Sequence, residues 1–269
     1  GLQGVMGYYY AKNDNEADEV ATSIKEHYLP KHAKDELPSN AIACVVALAD
    51  RLDTLVSIIG INKIPTGDKD PYALRRAAHG IFRIIIEKQL NLDLKELLEL
   101  SQKLYKTPLP NDNAAYVAFN FIMERMRHWY IDQDITPEIF EAVIACKPSK
   151  PLDFHQRIQA VLEFQKLPEA SALAAANKRV SNILKKANGT AIPEGTSDNL
   201  FEQDEERNLS KLLLEESSKV DSLYQEANYT QALTELASLK DTVDAFFDKV
   251  LIMTDDEKVR NNRLALLNN

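Results

Sequence analysis

The chain has 269 residues, 45% apolar and 27% charged, which is enough for one large or two small domains with their own cores. Glycine is sparse and apolar residues recur at spacings of three and four, the signature of an all-α fold; no stretch approaches the roughly 18 apolar residues that read as a membrane-spanning helix, so no membrane is expected as a partner. The net charge of -9 gives no global attraction to phosphate, so any nucleic-acid surface has to be local.

In chain order, the first half reads as helices near 14–29, 39–59, 71–89, 93–105 and 112–131, with breaks at Pro30, Pro38, Gly60 to Pro71 and Pro108 to Asn113. Residues 39–59 are apolar almost all round, as expected of a central buried helix. Asp70 suits a helix N-cap and Pro71 the first helical position. The acids Asp68 and Asp70 would repel an anion, so the loop from Gly67 to Pro71 reads as a cap and not a nucleotide cradle. In the helix that follows, Leu74, Ala77, Ala78, Ile81, Phe82, Ile84 and Ile85 share one side, and Arg75, Arg76, His79, Gly80, Arg83 and Glu87 the other. A cationic face with a glycine in it lets a polyanion come close; the plain alternative is a solvated face or an internal salt-bridge network. A short helix follows Thr136-Pro137, and Lys147-Pro148-Ser149-Lys150-Pro151 is the best candidate boundary between two domains, 1–150 and 151–269.

The second half reads as helices near 152–165, 168–187, 203–227, 229–251 and 255–267. A surface loop is expected from Asn188 to Asn199, and a capping box at Thr254-Asp255-Asp256-Glu257. Charge is uneven here. From Lys147 to Ala187 eight cations face only Asp153, Glu163 and Glu169, and the balance reverses around Glu202, Asp204, Glu205 and Glu206. On the helix 168–187, Leu173, Val180, Ile183 and Leu184 form a stripe, with Lys178, Arg179, Asn182, Lys185 and Lys186 opposite. Lysines there can contact phosphates, while Arg and Asn can read the edges of unstacked bases. Arg260 and Arg263 on the last helix can extend that surface, and Asn177 falls at its apolar border as a structural residue. At least one of Tyr8, Tyr9 and Tyr10 belongs to a core, and Cys44 and Cys146 read as buried reduced thiols. The five histidines show no metal-ligand spacing, no nucleophile motif occurs, and no catalytic residue is assigned.

Three stretches carry a family resemblance: GDKDPYALRRAAHGIFRIIIEKQLNLDL from Gly67, LQGVMGYYYAKNDNEADEVA from Leu2, and LAAANKRVSNILKK with VDAFFDKVLIMTDDEKVRNNRLALL near the end. The chain resembles the bacterial-type glycyl-tRNA synthetase β subunit over nearly its whole length. Subunits of that family are much longer, so the resemblance implies a C-terminal portion. It implies an HD-like helical domain with a helical linker in 1–150, and in 151–269 a helical-bundle anticodon-binding domain of the kind arginyl-tRNA synthetases share. Leu48-Ala49-Asp50-Arg51-Leu52-Asp53 is similar to the last metal-ligand segment of HD-type phosphohydrolases. Asp50 would be a remnant ligand of an incomplete set, or an aspartate paired with Arg51, a lysine or a backbone amide.

The implied function is to bind and position glycine tRNA, with Arg75, Arg76 and Arg83 touching the tRNA backbone nearer the acceptor arm. Ligation, with ATP and Mg, belongs in that family to a separate catalytic α subunit of a cytoplasmic heterotetramer; the chain itself needs no cofactor, does not bind DNA, and activates no amino acid alone. The rival readings are a helical scaffold that never touches RNA and a remnant HD-type phosphohydrolase.

Overall fold

The structure is a computed structural model that describes residues 2–65, 69–187 and 192–268. Among the described residues it is all helical, with thirteen α-helices, one short 3-10 turn at Asp198–Leu200 and no β-strand. The chain divides into two compact units, Gly1–His155 and Gln156–Asn269.

The N-terminal unit holds α1 (Val5–Asn13), α2 (Asp18–Glu26), α3 (Ala41–Gly60), α4 (Leu74–Glu87), α5 (Leu94–Lys103), α6 (Ala114–Ile131) and α7 (Pro137–Ile144). Its core is one side of α3 (Ala47, Leu52, Leu55, Val56, Ile59) against α4 (Leu74, Ala78, Ile81, Phe82, Ile85), closed by Leu94, Leu98, Ile122 and Met126. Each large aliphatic or aromatic side chain so buried contributes about 1.5–3 kcal/mol of hydrophobic stabilisation. α8 (Pro151–Phe164) carries the division between the units, so the boundary lies a few residues past the proline-rich segment expected to mark it. The reason is aromatic packing: Phe154 lies 4.9 Å from Phe140 and 5.9 Å from Tyr130, centroid to centroid. Burial raises the pKa of the Tyr130 hydroxyl and lowers that of His155, which favours the neutral form of each, and the two share a hydrogen bond between the hydroxyl and His155 Nδ1 at 2.9 Å.

Several sequence expectations shift. α1 lacks an apolar stripe and buries only Ala11, and for that reason periodicity does not reveal it. None of its three consecutive tyrosines is buried; Tyr8 is half-buried, Tyr9 and Tyr10 exposed. α3 is buried on one side only, since Ile42, Val45 and Val46 are exposed. α4 begins at Leu74 and not at Pro71, because Ala73 turns left-handed (φ 56°). Asp70 still caps it from outside, accepting from the Leu74 and Arg75 amides at 2.8 and 3.0 Å. The rest of the loop, at Gly67 and Asp68, lies outside the described residues. Cys44 is buried, but Cys146 is exposed just past α7.

The cationic face of α4 is corrected most. Gly80 and Arg83 are buried, Arg83 being only 8% exposed. The Arg83 guanidinium donates to the carbonyls of Ala33 and Asp35 at 2.8 and 3.2 Å and pairs with Glu87 at 2.6 Å. Gly80 leaves room not for a polyanion but for Arg51 of α3, which reaches past it to the carbonyls of His27, Tyr28 and Leu29 at 2.7, 3.0 and 2.7 Å. A Cβ on Gly80 would stand 2.6 Å from Arg51 Nε and 3.1 Å from its Cδ.

The C-terminal unit holds α9 (Ala170–Lys186), α10 (Asp204–Gln225), α11 (Tyr229–Ala237), α12 (Lys240–Lys249) and α13 (Glu257–Asn268). The single helix expected over 229–251 breaks at Ser238, whose hydroxyl bonds back to the Glu235 carbonyl at 2.7 Å and competes with the helical ladder. α13 starts at Glu257 with Asp256 as its cap, accepting from the Lys258 and Val259 amides at 2.8 and 3.2 Å; Thr254 lies ahead of it. The core is Phe201, Leu209, Phe246, Phe247, Val250, Ile252, Leu264 and Leu266, with Val180, Ile183 and Leu184 of α9 packed on its edge. The acidic stretch from Glu202 is the start of α10: Gln203 and Glu206 form a reciprocal capping box. Part of the loop expected from Asn188 lies outside the described residues, which resume at Ile192.

Gly80→Ala tests the packing of Arg51. In an open helix this change stabilises by up to about 1 kcal/mol. Here it overpacks a buried guanidinium and should destabilise by about 1–3 kcal/mol, read as a lower midpoint in urea unfolding.

Candidate nucleic-acid interface

α9 rests its half-buried stripe on Phe246 and Phe247 and turns the other side outward. Lys178, Arg179, Asn182, Lys185 and Lys186 are all exposed on that side. Lys178, Arg179, Asn182 and Lys186 form one wall of a groove of about 510 Å³, and the segment Val250 to Met253 forms the other. Lys185 is outside the groove lining, and Asn177 is exposed and not the border residue expected. Arg179 is stacked, its guanidinium 4.3 Å from the centroid of the Phe247 ring, which fixes it against the core edge.

The opposite wall was not legible as a site. Leu251 is 70% exposed and Met253 54%, large apolar side chains facing a cationic helix across an open groove. The signal that could have found them is the run Val250-Leu251-Ile252-Met253, which has no helical period and only two buried members. A groove with lysines on one side and apolar side chains on the other matches a nucleotide strand, whose phosphates need charge and whose unstacked bases need apolar contact.

Neither Arg260 nor Arg263 lines the groove. Arg263 is 2% exposed: Nε donates to Glu206 Oε1 at 2.8 Å, and Nη2 to Glu202 Oε2 and Glu206 Oε2 at 2.9 and 3.2 Å. Its remaining arm, Nη1, donates to the Leu251 carbonyl at 3.0 Å. Arg260 is half-buried and donates to the Thr254 carbonyl at 2.9 Å. The Arg263 guanidinium is therefore spent on holding the turn that carries Leu251 and Met253, and one arm of Arg260 braces the backbone just after it. Arg157, another cation of the basic stretch, bonds to the Tyr224 and Tyr229 hydroxyls at 3.1 and 2.9 Å and lies over both rings.

In the N-terminal unit the three arginines singled out on α4 separate. Arg83 is internal, Arg75 is half-buried, and Arg76 is exposed. Arg75 and Arg76 line a hollow with Lys31 and His79. Asp50 is exposed at a neighbouring hollow, and its charge partly offsets the cost that burial puts on the Arg51 guanidinium. Among the described residues no group of three or more His, Cys, Asp or Glu is arranged to hold a metal.

The comparisons with known proteins agree with this layout. Residues 173–269 match the DALR anticodon binding domain, which sets the class of the C-terminal unit as a helical anticodon-binding domain. Residues 1–145 match the family described as glycyl-tRNA synthetase beta subunit. The chain is 56% identical over 266 residues to the glycine–tRNA ligase beta subunit of Coxiella burnetii (strain Dugway 5J108-111), covering 99% of this chain and 39% of the relative. It is 48% identical over 267 residues to that of Marinobacter nauticus (99% and 38%) and 47% over 265 residues to that of Citrobacter koseri (98% and 38%). It thus spans less than two fifths of the length of these relatives. The chain belongs to the glycyl-tRNA synthetase beta subunit family.

The Glu206–Arg263 pair makes a pH prediction. Burial opposes the Glu206 charge, but the Arg263 hydrogen bonds and the Gln203 and Glu202 amides outweigh it and lower the carboxyl pKa. A lowered folded pKa gives stability that is complete above the unfolded value, about 4.3, and lost as pH falls through the folded one. Glu206→Gln should lower the melting temperature at neutral pH and flatten its decline on acidification. Arg263→Ala leaves a buried carboxylate unpaired and should cost about 3–5 kcal/mol in denaturant unfolding.

Proposed function

We propose that this chain is the tRNA-recognising portion of a glycine–tRNA ligase, and that the groove between α9 and the Val250–Met253 turn receives the anticodon arm of glycine tRNA. The observation that carries this reading is the pairing, in one groove of an anticodon-binding domain, of exposed cations with exposed Leu251 and Met253. Lys178 and Lys186 neutralise phosphates in the groove and Lys185 one beside it, Asn182 hydrogen-bonds a base edge, and an unstacked base packs on Leu251 and Met253. Arg179 is held by Phe247 and offers its guanidinium plane for stacking. In the N-terminal unit, Arg75 and Arg76 contact the backbone nearer the acceptor arm; Arg83, which is internal, does not.

The contribution to aminoacylation is positional. Binding energy from the anticodon arm holds the acceptor end at a catalytic α subunit in the cytoplasm, where ATP and Mg do the chemistry. The chain by itself gives no glycine-dependent pyrophosphate exchange. A second role, bracing the rest of the synthetase, is favoured by the exposed aliphatic face of Ile42, Val45 and Val46.

The test is binding of the chain to a glycine tRNA transcript at two salt concentrations, against the same transcript with its anticodon replaced. The authentic anticodon should bind more tightly. Lys178→Ala/Lys186→Ala, which spares the stacked Arg179, should weaken binding roughly tenfold or more and reduce the salt slope by about 1–2. Equal, weak binding of both transcripts would leave the scaffold reading in its place.

A further inference from the structure

Two hollows open side by side on the N-terminal unit. The smaller, about 150 Å³, is lined by Lys31, His32, Arg75, Arg76 and His79 with two apolar residues, and no acid is among the described residues that line it. The larger, about 310 Å³, shares Lys31, Arg76 and Pro30, and adds Tyr72 and Asp50. The connection from α2 to α3 forms one rim of both. Its backbone is pulled inward at two places: Arg51 takes the carbonyls of His27, Tyr28 and Leu29, and Arg83 those of Ala33 and Asp35. The negative ends of these peptide groups are thereby occupied, and the rim presents Lys31 and His32 instead. The Lys31 amide is tied to Asp35 at 2.8 Å, which holds the rim in shape.

The chemistry is graded along the cleft. Among the described residues that line it, the small hollow carries only cationic and neutral side chains; burial, with the nearby Arg83 charge, lowers the pKa of His79 and disfavours its charged form. The large hollow carries one carboxylate, Asp50, and the exposed ring of Tyr72. A carboxylate repels phosphate but accepts from vicinal hydroxyls, and an exposed tyrosine ring is a platform for a base.

We propose that this cleft is a ribonucleotide site. Lys31 and Arg76 neutralise the phosphate in the small hollow, Asp50 accepts the ribose hydroxyls, and the base stacks on Tyr72. Arg51 and Arg83 are positioning residues that hold the rim. The inference deepens the reading of Arg75 and Arg76 given above and is independent of the α9 groove. The nucleotide is either part of an RNA strand or a free mononucleotide.

The experiment uses the whole chain in calorimetric titrations with AMP, dAMP and adenosine, and with an acceptor-stem RNA of glycine tRNA that lacks the anticodon arm. Wild type is compared with Lys31→Glu/Arg76→Glu, with Asp50→Asn and with Lys178→Ala/Lys186→Ala. A free-nucleotide site binds AMP, ignores adenosine, and loses roughly tenfold or more in affinity in the Lys31/Arg76 variant. It prefers AMP to dAMP, a preference that Asp50→Asn removes. An RNA-strand site gives no AMP binding, but acceptor-stem binding falls by a similar factor in the Lys31/Arg76 variant and is unmoved in the Lys178/Lys186 variant. Failure of the anticodon reading leaves both patterns intact. The inference is overturned if neither ligand binds, or if binding is unchanged in the Lys31/Arg76 variant. Should that variant melt below wild type, the single change Arg76→Ala at an exposed position supplies the same comparison.

Discussion

A guanidinium can be buried only if its donors are met, and this requirement shapes both units. Desolvating the charge costs several kcal/mol, which carbonyls and carboxylates must offset. Arg51 and Arg83 meet it with the backbone of the α2–α3 connection, and Arg263 meets it with Glu206, Glu202 and the Leu251 carbonyl. In each case at least one partner is a carbonyl of irregular backbone that has no ladder of its own. The arginines supply the missing donors, and the loops gain a defined course. The exposed residues of the two proposed sites, Lys31 on one loop and Leu251 and Met253 on the other, stand on the backbone so held.

Glu206 shows how tightly this is built. Its carboxylate closes the capping box of α10, accepting from the Gln203 and Glu202 amides at 2.9 and 3.0 Å, and the same carboxylate receives Arg263 from α13. One side chain thus joins a helix start, a helix face and, through Arg263, the groove turn. With zero exposure it has no water to fall back on. The pair is therefore a constraint on geometry more than a reserve of stability, since a well-packed apolar pair of the same volume can be as stable.

The all-α class, most helix positions and the cationic side of α9 were legible because they rest on local periodicity, which survives without the tertiary structure. What periodicity cannot give is the fate of a polar residue on an exposed-looking face. Arg83 has the same helical phase as the exposed Arg76, and the long-range approach of the segment 33–35 buries it, as that of α10 buries Arg263. Gly80 was legible as a place of close approach, but not what approaches. Leu251 and Met253 were invisible for the opposite reason: they are apolar residues whose exposure depends on how a turn is held. α1 and the break at Ser238 were missed because neither leaves a stripe or a proline to mark it.

A net charge of -9 beside lysine-lined grooves fits a binder that must discriminate. A uniformly basic surface attracts every polyanion through counterion release, and its affinity says little about sequence. Here the acids that dominate the rest of the surface repel a strand laid at random. A strand that lies along α9 meets the lysines, but that contact alone neutralises only a few phosphates and remains weak at cellular salt. On the proposed reading, the remainder of the binding comes from bases leaving the stack to reach Leu251, Met253 and Asn182, contacts a duplex cannot make and an open loop can. In that proposal electrostatics serves to admit the right kind of strand, while the apolar wall held by Arg263 decides whether it stays.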